Sequence, residues 1–138
     1  MKLQSLSVAV ILLSACVSTN ASLIDPTLHY ARTCPAGIKL YTTPDRVGQP
    51  YREVAILNAK GESNWSDEED MIESMRDKAA EIGANGIILS GIDEPSALTK
   101  VIGQVAKTGS QRKGKALAIY IPAEATNTAT ACANAKKA

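Results

Sequence analysis

Apolar residues recur along the chain with two different periods, which predict a small sheet and one main helix. Three short apolar runs bounded by glycine, proline or polar residues are typical of strands: Gly37 to Tyr41, Tyr51 to Leu57 and Gly86 to Ile92. The third run is apolar almost throughout, which predicts a strand near the centre of the sheet that is covered on both faces. We expect the first run to lie at a sheet edge and to neighbour the second.

A fourth strand is predicted to end at Pro122. Its large side chains alternate with smaller ones, so it has one large apolar face, formed by Leu117, Ile119 and Ile121, and a smaller one, formed by Ala116, Ala118 and Tyr120. The stretch before this strand is too long for a plain loop in a compact domain. Helical spacing within it predicts a short helix that carries Leu98, Val101, Ile102 and Val105.

The main helix is predicted to begin beside an acidic run. Ser66 followed three residues later by Glu69 is a capping-box pattern, and further acidic residues there complement the positive end of the helix dipole, namely Asp67, Glu68 and Asp70. Gly83 can end the helix. One apolar face then carries Met71, Ile72, Met75, Ala79 and Ile82. The order β-β-α-β-(short α)-β predicts a small α/β (α+β) sandwich, with one main helix on a mixed four-stranded sheet.

Both ends of the chain lack a sustained apolar period. We therefore predict that residues 16–36 form a flexible tether and that residues 37–122 form the globular domain. Residues 123–138 contain Ala, Thr, Asn and Lys but no large apolar residue. They are predicted to be a flexible tail, mobile or held only through Cys132.

Residues 1–15 have the pattern of a signal peptide, with Lys2 followed by an apolar run from Leu6 to Leu13. This run is too short to cross a bilayer as a helix. The sequence Leu13-Ser14-Ala15-Cys16 resembles the bacterial lipobox, which implies cleavage before Cys16 and acylation of its thiol. The alternative is an ordinary secretory signal in which Cys16 is incidental. In such lipoproteins an aspartate directly after the cysteine favours retention on the inner membrane. This chain has Val17 at that position, which implies an outer-membrane anchor with the domain facing the periplasm.

Charge and composition disfavour several classes of partner. The chain has 15 basic and 14 acidic residues, and removal of residues 1–15 takes away Lys2 alone, so the mature chain is neutral. It therefore lacks the positive charge typical of nucleic-acid binding. No Phe, one Trp and four Tyr leave few side chains for stacking on bases or sugars.

One local cluster is basic, and it consists of Lys107, Arg112, Lys113 and Lys115 just before the last predicted strand. It could dock an acidic envelope protein, or hold an anionic headgroup, polysaccharide or small molecule. The alternative is a solvated turn without a partner.

The histidine, the cysteines and the glycine-containing turn do not favour catalysis or metal binding. The single histidine, His29, lies in the predicted tether five residues before Cys34, a poor place for a rigid nucleophile and base. The chain has no Cys-x-x-Cys, histidine pair or calcium loop. The segment from Gly83 to Gly86 follows a helix instead of opening one, so it is not a phosphate loop. We expect a non-enzyme without a cofactor or metal.

Three segments resemble small bacterial envelope lipoproteins: Tyr51 to Ala55, Asp77 to Leu89 and Gly114 to Ile119. That group is similar to the outer-membrane lipoprotein that senses stress for the Rcs phosphorelay, and more loosely to small heavy-metal-associated domains with the same helix-to-strand turn. The resemblance covers about half of the chain. It implies a binding domain for envelope maintenance or stress monitoring through protein–protein interaction. The alternative is a ligand or ion scavenger that uses the basic segment.

The cysteines depart from that group. The Rcs-type sensor has disulfides inside its folded domain, whereas this chain has no cysteine between Cys34 and Cys132. If Cys16 is acylated, an even pair remains in an oxidising compartment, and we expect a Cys34–Cys132 disulfide. The alternatives are two reduced thiols or bonds to other proteins.

Overall fold

The computed structural model describes residues 17–62, 67–93 and 111–138. These residues form five strands and two α-helices: β1 (Val17–Leu23), β2 (Lys39–Tyr41), β3 (Arg52–Glu62), α1 (Glu68–Glu81), β4 (Gly86–Asp93), β5 (Gln111–Tyr120) and α2 (Ala125–Ala135). Single turns of 3-10 helix occupy Pro35–Gly37, Pro44–Arg46 and Pro122–Glu124. The fold is α+β with a mixed sheet, as predicted, although the sheet has one strand more. The predicted short helix at residues 98–105 lies outside the described residues.

All five described strands belong to one sheet in the order β1-β3-β5-β4-β2. β2 and β4 are parallel, and the other neighbours are antiparallel. β2 lies at an edge, as predicted, but its predicted pairing with β3 is wrong. Residues 42–51 separate the two strands and include a turn of 3-10 helix, which is longer than a hairpin connection. β5 is the central strand, and β4 lies between it and β2.

The capping box of α1 lies one residue later than predicted. Asp67 is the N-cap: its side chain accepts a hydrogen bond from the Asp70 backbone N–H (2.9 Å), and the Asp70 side chain accepts one from the Asp67 N–H (3.0 Å). The predicted pair was Ser66 with Glu69, and Ser66 lies outside the described residues. An aspartate at the N-cap also adds a negative charge at the positive end of the helix dipole.

The predicted apolar face of α1 packs on one face of the sheet. Met71, Met75 and Ala79 have no exposed surface, and the sheet residues beneath them include Leu57, Ala59, Ile87, Ala116 and Ala118. Alanines on both sides allow the helix to lie close to the strands. The two outer residues of the predicted face, Ile72 and Ile82, are half-buried.

A second, smaller core lies on the opposite face of the sheet. Val47, Ile88, Ile119 and Ile121 are buried there and pack with Tyr41, Tyr51 and Leu117. Ile87 and Ile88 are therefore buried on opposite faces of β4, which confirms the prediction of a strand covered on both sides.

The predicted tether is wrong for residues 17–23, because these residues form edge strand β1, paired antiparallel with β3. Val17, Thr19 and Ala21 are half-buried beneath α1, and the hydroxyls of Thr19 and Ser74 are hydrogen-bonded at 2.6 Å. The rest of the segment is also attached to the domain: the Thr33 N–H donates to the Ala80 carbonyl (3.0 Å).

The predicted flexible tail is also wrong, because Ala125–Ala135 form helix α2. The helix lies close to the backbone at Gly37, where a Cβ atom would come within 2.8 Å of Thr128 Cγ2 and 3.2 Å of Cys132 Sγ. Thr128 is buried at this contact. Small residues and glycine make this close approach possible without any large apolar side chain.

Cys34 and Cys132 form the expected disulfide, with an S–S distance of 2.08 Å. A bridge across 98 residues can stabilise a fold by up to about 4–5 kcal/mol in the chain-entropy account.

We expect reduction of this disulfide to lower the melting temperature and release α2 while the sheet stays folded, because the strands contain no cysteine. Circular dichroism with and without reductant measures this. Complete loss of strand signal on reduction, or free thiols in non-reducing mass spectrometry, would contradict the account.

Glu124 gives the attachment of α2 a dependence on pH. The Lys39 ammonium lies 2.7 Å from its carboxylate, and this contact, with a hydrogen bond from Asn127, lowers the pKa of Glu124 below its ordinary 4.5. A lowered pKa means that the carboxylate stabilises the fold above pH 4.5 and that this contribution is lost as the pH falls through the folded value.

We therefore expect wild type to lose more thermal stability than Glu124→Gln when the pH falls from about 6 to about 3. The matched control is Glu81→Gln. Its ion pair with Lys78 also lowers the pKa of the carboxyl, but the side chain is 47% exposed, against 9% for Glu124, so the effect of the substitution should be smaller. Equal pH dependence in wild type and Glu124→Gln would exclude this role.

Candidate binding surface

The structure separates the basic residues that the sequence groups together. Lys113 and Lys115 alternate along β5 and lie exposed on one face of the sheet. Arg112 immediately precedes Lys113 and is half-buried on the opposite face, where it pairs with Gly61. Lys107 lies outside the described residues. The exposed cations of the predicted cluster are therefore Lys113 and Lys115.

Lys60 joins these two residues from the neighbouring strand. It is exposed and pairs directly with Lys113, while Lys115 pairs with Asn58 two residues earlier on β3. Paired residues in a sheet point to the same side, so Lys60, Lys113 and Lys115 form one group, which we call the lysine face. Sequence reasoning missed Lys60, because it did not predict the pairing of β3 with β5 that brings this residue beside Lys113.

Like charges directly opposite each other destabilise a sheet, which makes the Lys60–Lys113 pair unfavourable in isolation. Within residues 17–62, 67–93 and 111–138, none of the three ammonium groups forms an ion pair. On its other side, Lys113 is in register with Asp93 of β4. Glu62 lies two residues beyond Lys60 on β3 and therefore on the same side of the sheet, so among the described side chains three lysines outnumber one carboxylate there. This surface is suited to an anionic partner.

The lysine face lies at the end of the sheet where β1 begins. Ser18 pairs with Lys60, and Lys60 pairs with Lys113, so the three residues form one row across β1, β3 and β5. Ser18 and Asn20 are exposed on the same face of the sheet, and Asn20 pairs with Asn58. Cys16, the predicted lipidation site, immediately precedes β1 and lies outside the described residues.

A groove of about 330 Å³ lies at the opposite end of the sheet, beside the disulfide. The rings of Tyr30 and Tyr120 line it and pack with centroids 4.6 Å apart, and Arg32 and Lys136 contribute cationic side chains. Among the described residues, the buried hydroxyl of Tyr30 has no hydrogen-bond partner. The groove combines aromatic surface with positive charge. It could take a small anionic ligand.

The turn after α1 has a structural role, as the sequence indicates. Gly83 adopts φ +82°, and a Cβ atom there would lie 2.5 Å from Tyr30 Cβ. Asn85 is buried, and its side chain donates to the Ile121 carbonyl (2.8 Å) and accepts from the Ile121 N–H (2.7 Å). The amide thereby satisfies the backbone just beyond β5, a role that its position beside an apolar run did not reveal.

The other residues that could serve in catalysis or metal binding do not form a common site among the described residues. Cys34 is bonded to Cys132, and His29 is exposed on the segment between β1 and β2. Asp67 and Asp70 cap α1, as expected for this acidic run. In the described part of the chain, no three His, Cys, Asp or Glu side chains are grouped as around a metal ion. No helix there is long and apolar enough to cross a membrane.

Comparison with solved structures finds a similar fold in a virulence factor of Francisella, FvfA. The TM-score is 0.51 with 13% sequence identity, and the match covers 74% of this chain and 96% of that one. At this identity the likeness shows the fold alone. No protein-family model matches the chain, and no curated protein matches it.

Proposed function

We propose that this chain is a lipid-anchored protein of the outer membrane whose small domain faces the periplasm and works by binding. Its role would be envelope maintenance or stress monitoring, as the resemblance to envelope lipoproteins implies. The proposed binding role rests on the lysine face, which presents three exposed cations that form no ion pair among the described residues. Such a surface favours association with an anionic partner.

The lipobox supports the anchor, and the compartment it implies is consistent with the Cys34–Cys132 disulfide, since disulfides persist in oxidising compartments. A ligand scavenger is the second candidate function, favoured by the groove at Tyr30 and Tyr120. A ligand for that groove would raise the melting temperature of the purified protein in a concentration-dependent way.

Site-specific photo-crosslinking in intact cells tests the binding role. Replacing Asn20 with a photo-crosslinking amino acid places the probe on the lysine face and leaves all three lysines intact. The matched control is the same replacement at Glu73, which is exposed on α1 over the other face of the sheet. We expect adducts at position 20 that are absent at position 73. Equal labelling at both positions, or none at either, would contradict a binding role for this surface.

A further inference from the structure

We propose that the partner of the lysine face is the bilayer itself, through its anionic phospholipid headgroups. This inference rests on the proposed lipid anchor at Cys16. It adds that the domain lies against the membrane in one orientation, with the lysine face toward the headgroups.

The first support is the absence of a spacer between the anchor and the sheet. β1 begins at Val17, the residue after Cys16, so Ser18 lies within about 7 Å of Cys16 along an extended chain. Neighbouring strands are about 4.8 Å apart, so the distance from Cys16 grows by about 5 Å from Ser18 to Lys60 and by another 5 Å to Lys113. A lipid on Cys16 would therefore hold the Cα atoms of both lysines within roughly 12–17 Å of the membrane interface.

The second support is the lack of ion pairs on the lysine face. Within the described residues none of its three ammonium groups is paired with a carboxylate, whereas Lys39, Lys78 and Arg32 are paired with Glu124 or Glu81. Arg52, Lys136 and Lys137, away from the start of β1, also have no ion pair among the described residues, so the lysine face is distinguished by its place beside the start of β1. Its cations are left unneutralised where the headgroups of an anchored chain would lie.

The third support is the distribution of acidic residues near the same end. The acidic N-terminus of α1 belongs to the helix that packs on the opposite face of the sheet from the lysine face. An anionic surface therefore attracts one face of the domain and repels the other. Each lysine near an anionic membrane surface favours the contact about fivefold, so three together favour it by of order a hundredfold.

Lysine labelling of the full lipidated protein in vesicles tests the proposal. One vesicle preparation contains phosphatidylcholine alone, and the other contains phosphatidylcholine with phosphatidylglycerol. A water-soluble amine-reactive reagent is added, and peptide mass spectrometry reads each lysine. We expect Lys60, Lys113 and Lys115 to react at least about fivefold more slowly in the anionic vesicles. Lys39, Lys78 and Lys136 should react equally in both and serve as internal controls.

Two further arms sharpen the test. Salt at about 1 M, which shortens the screening length to about 3 Å, should restore labelling of the lysine face. In the double variant Lys113→Gln/Lys115→Gln, Lys60 should lose its protection from labelling in anionic vesicles. In the matched double variant Lys136→Gln/Lys137→Gln, Lys60 should remain protected. Protection that is insensitive to salt or to the first double variant would overturn the proposal.

The outcomes separate this inference from the proposed function. Equal labelling of the lysine face in both vesicles, with the protein anchored in each, would overturn the headgroup contact and leave the lipid anchor standing. Protection in intact cells but not in anionic vesicles would replace the bilayer with an acidic envelope protein. A chain that carries no lipid and stays out of the vesicles would overturn the proposed function itself.

Discussion

Replacing Cys16 with serine should remove the protein from the membrane fraction or leave it as an unprocessed precursor. In the proposed lipobox, the Cys16 thiol would take a diacylglyceryl group as a thioether, and serine cannot replace it in that bond. A lipoprotein held by several acyl chains is stably bound, whereas a chain without them has only weak surface contacts. Membrane fractionation followed by immunoblotting reads both location and precursor size.

The matched control is Cys34→Ser/Cys132→Ser, which removes the other two thiols and leaves the lipobox intact. This double variant should lose the disulfide but remain in the membrane fraction at the mature size. If Cys16→Ser is processed normally and stays in the membrane fraction, the lipoprotein assignment is wrong, and Cys16 is incidental to an ordinary secretory signal.

The second large effect is expected in the core, where Met75→Ala should lower the free energy of unfolding by about 2–5 kcal/mol. Met75 has no exposed surface, and it lies between α1 and the sheet in the same cluster as Leu57 and Ala118. Truncation removes buried methylene and thioether contacts and leaves a cavity that tightly packed neighbours fill only in part. Chemical denaturation of the purified protein measures the loss.

The control is Glu73→Ala, two residues earlier on the exposed side of α1. A surface substitution of this kind should change the free energy of unfolding by less than about 0.5 kcal/mol. Similar losses for the two variants would mean that α1 does not pack on the sheet through the face that carries Met75.

The parts of the fold that could be predicted are those with a strong local pattern. α1 has an acidic start, an apolar face and a terminating glycine within one segment. β4 has a run of large apolar residues, and large apolar residues alternate with small ones at the end of β5. The cap of the helix and the buried faces of the helix and strands can be predicted because the residues that determine them are close together in the sequence. The capping box was misplaced by one residue because serine and aspartate are both favourable N-caps.

The two missed elements have patterns built from small residues. In β1, Val17, Thr19 and Ala21 face inward and alternate with Ser18 and Asn20, so the period of two is present without large side chains. In α2, the residue that is buried is Thr128. The contacts that hold both elements come from distant parts of the chain, so local composition alone resembled a linker.

The lysine face could be predicted only in part, for the same reason. Lys113 and Lys115 lie in one sequence cluster, but Lys60 reaches them only through the pairing of β3 with β5. Arg112 belongs to the sequence cluster and not to the surface, because one residue along a strand reverses the direction of a side chain. The lysine face adjoins the start of β1, and no pattern of large apolar residues indicated this strand.

Mass spectrometry of the N-terminal peptide from the membrane fraction tests the central claim, lipid anchoring at Cys16, most directly. The account predicts a mature chain that begins at Cys16 and carries covalent acyl chains on that residue. A chain that begins at any other residue, or an unmodified Cys16, would contradict it.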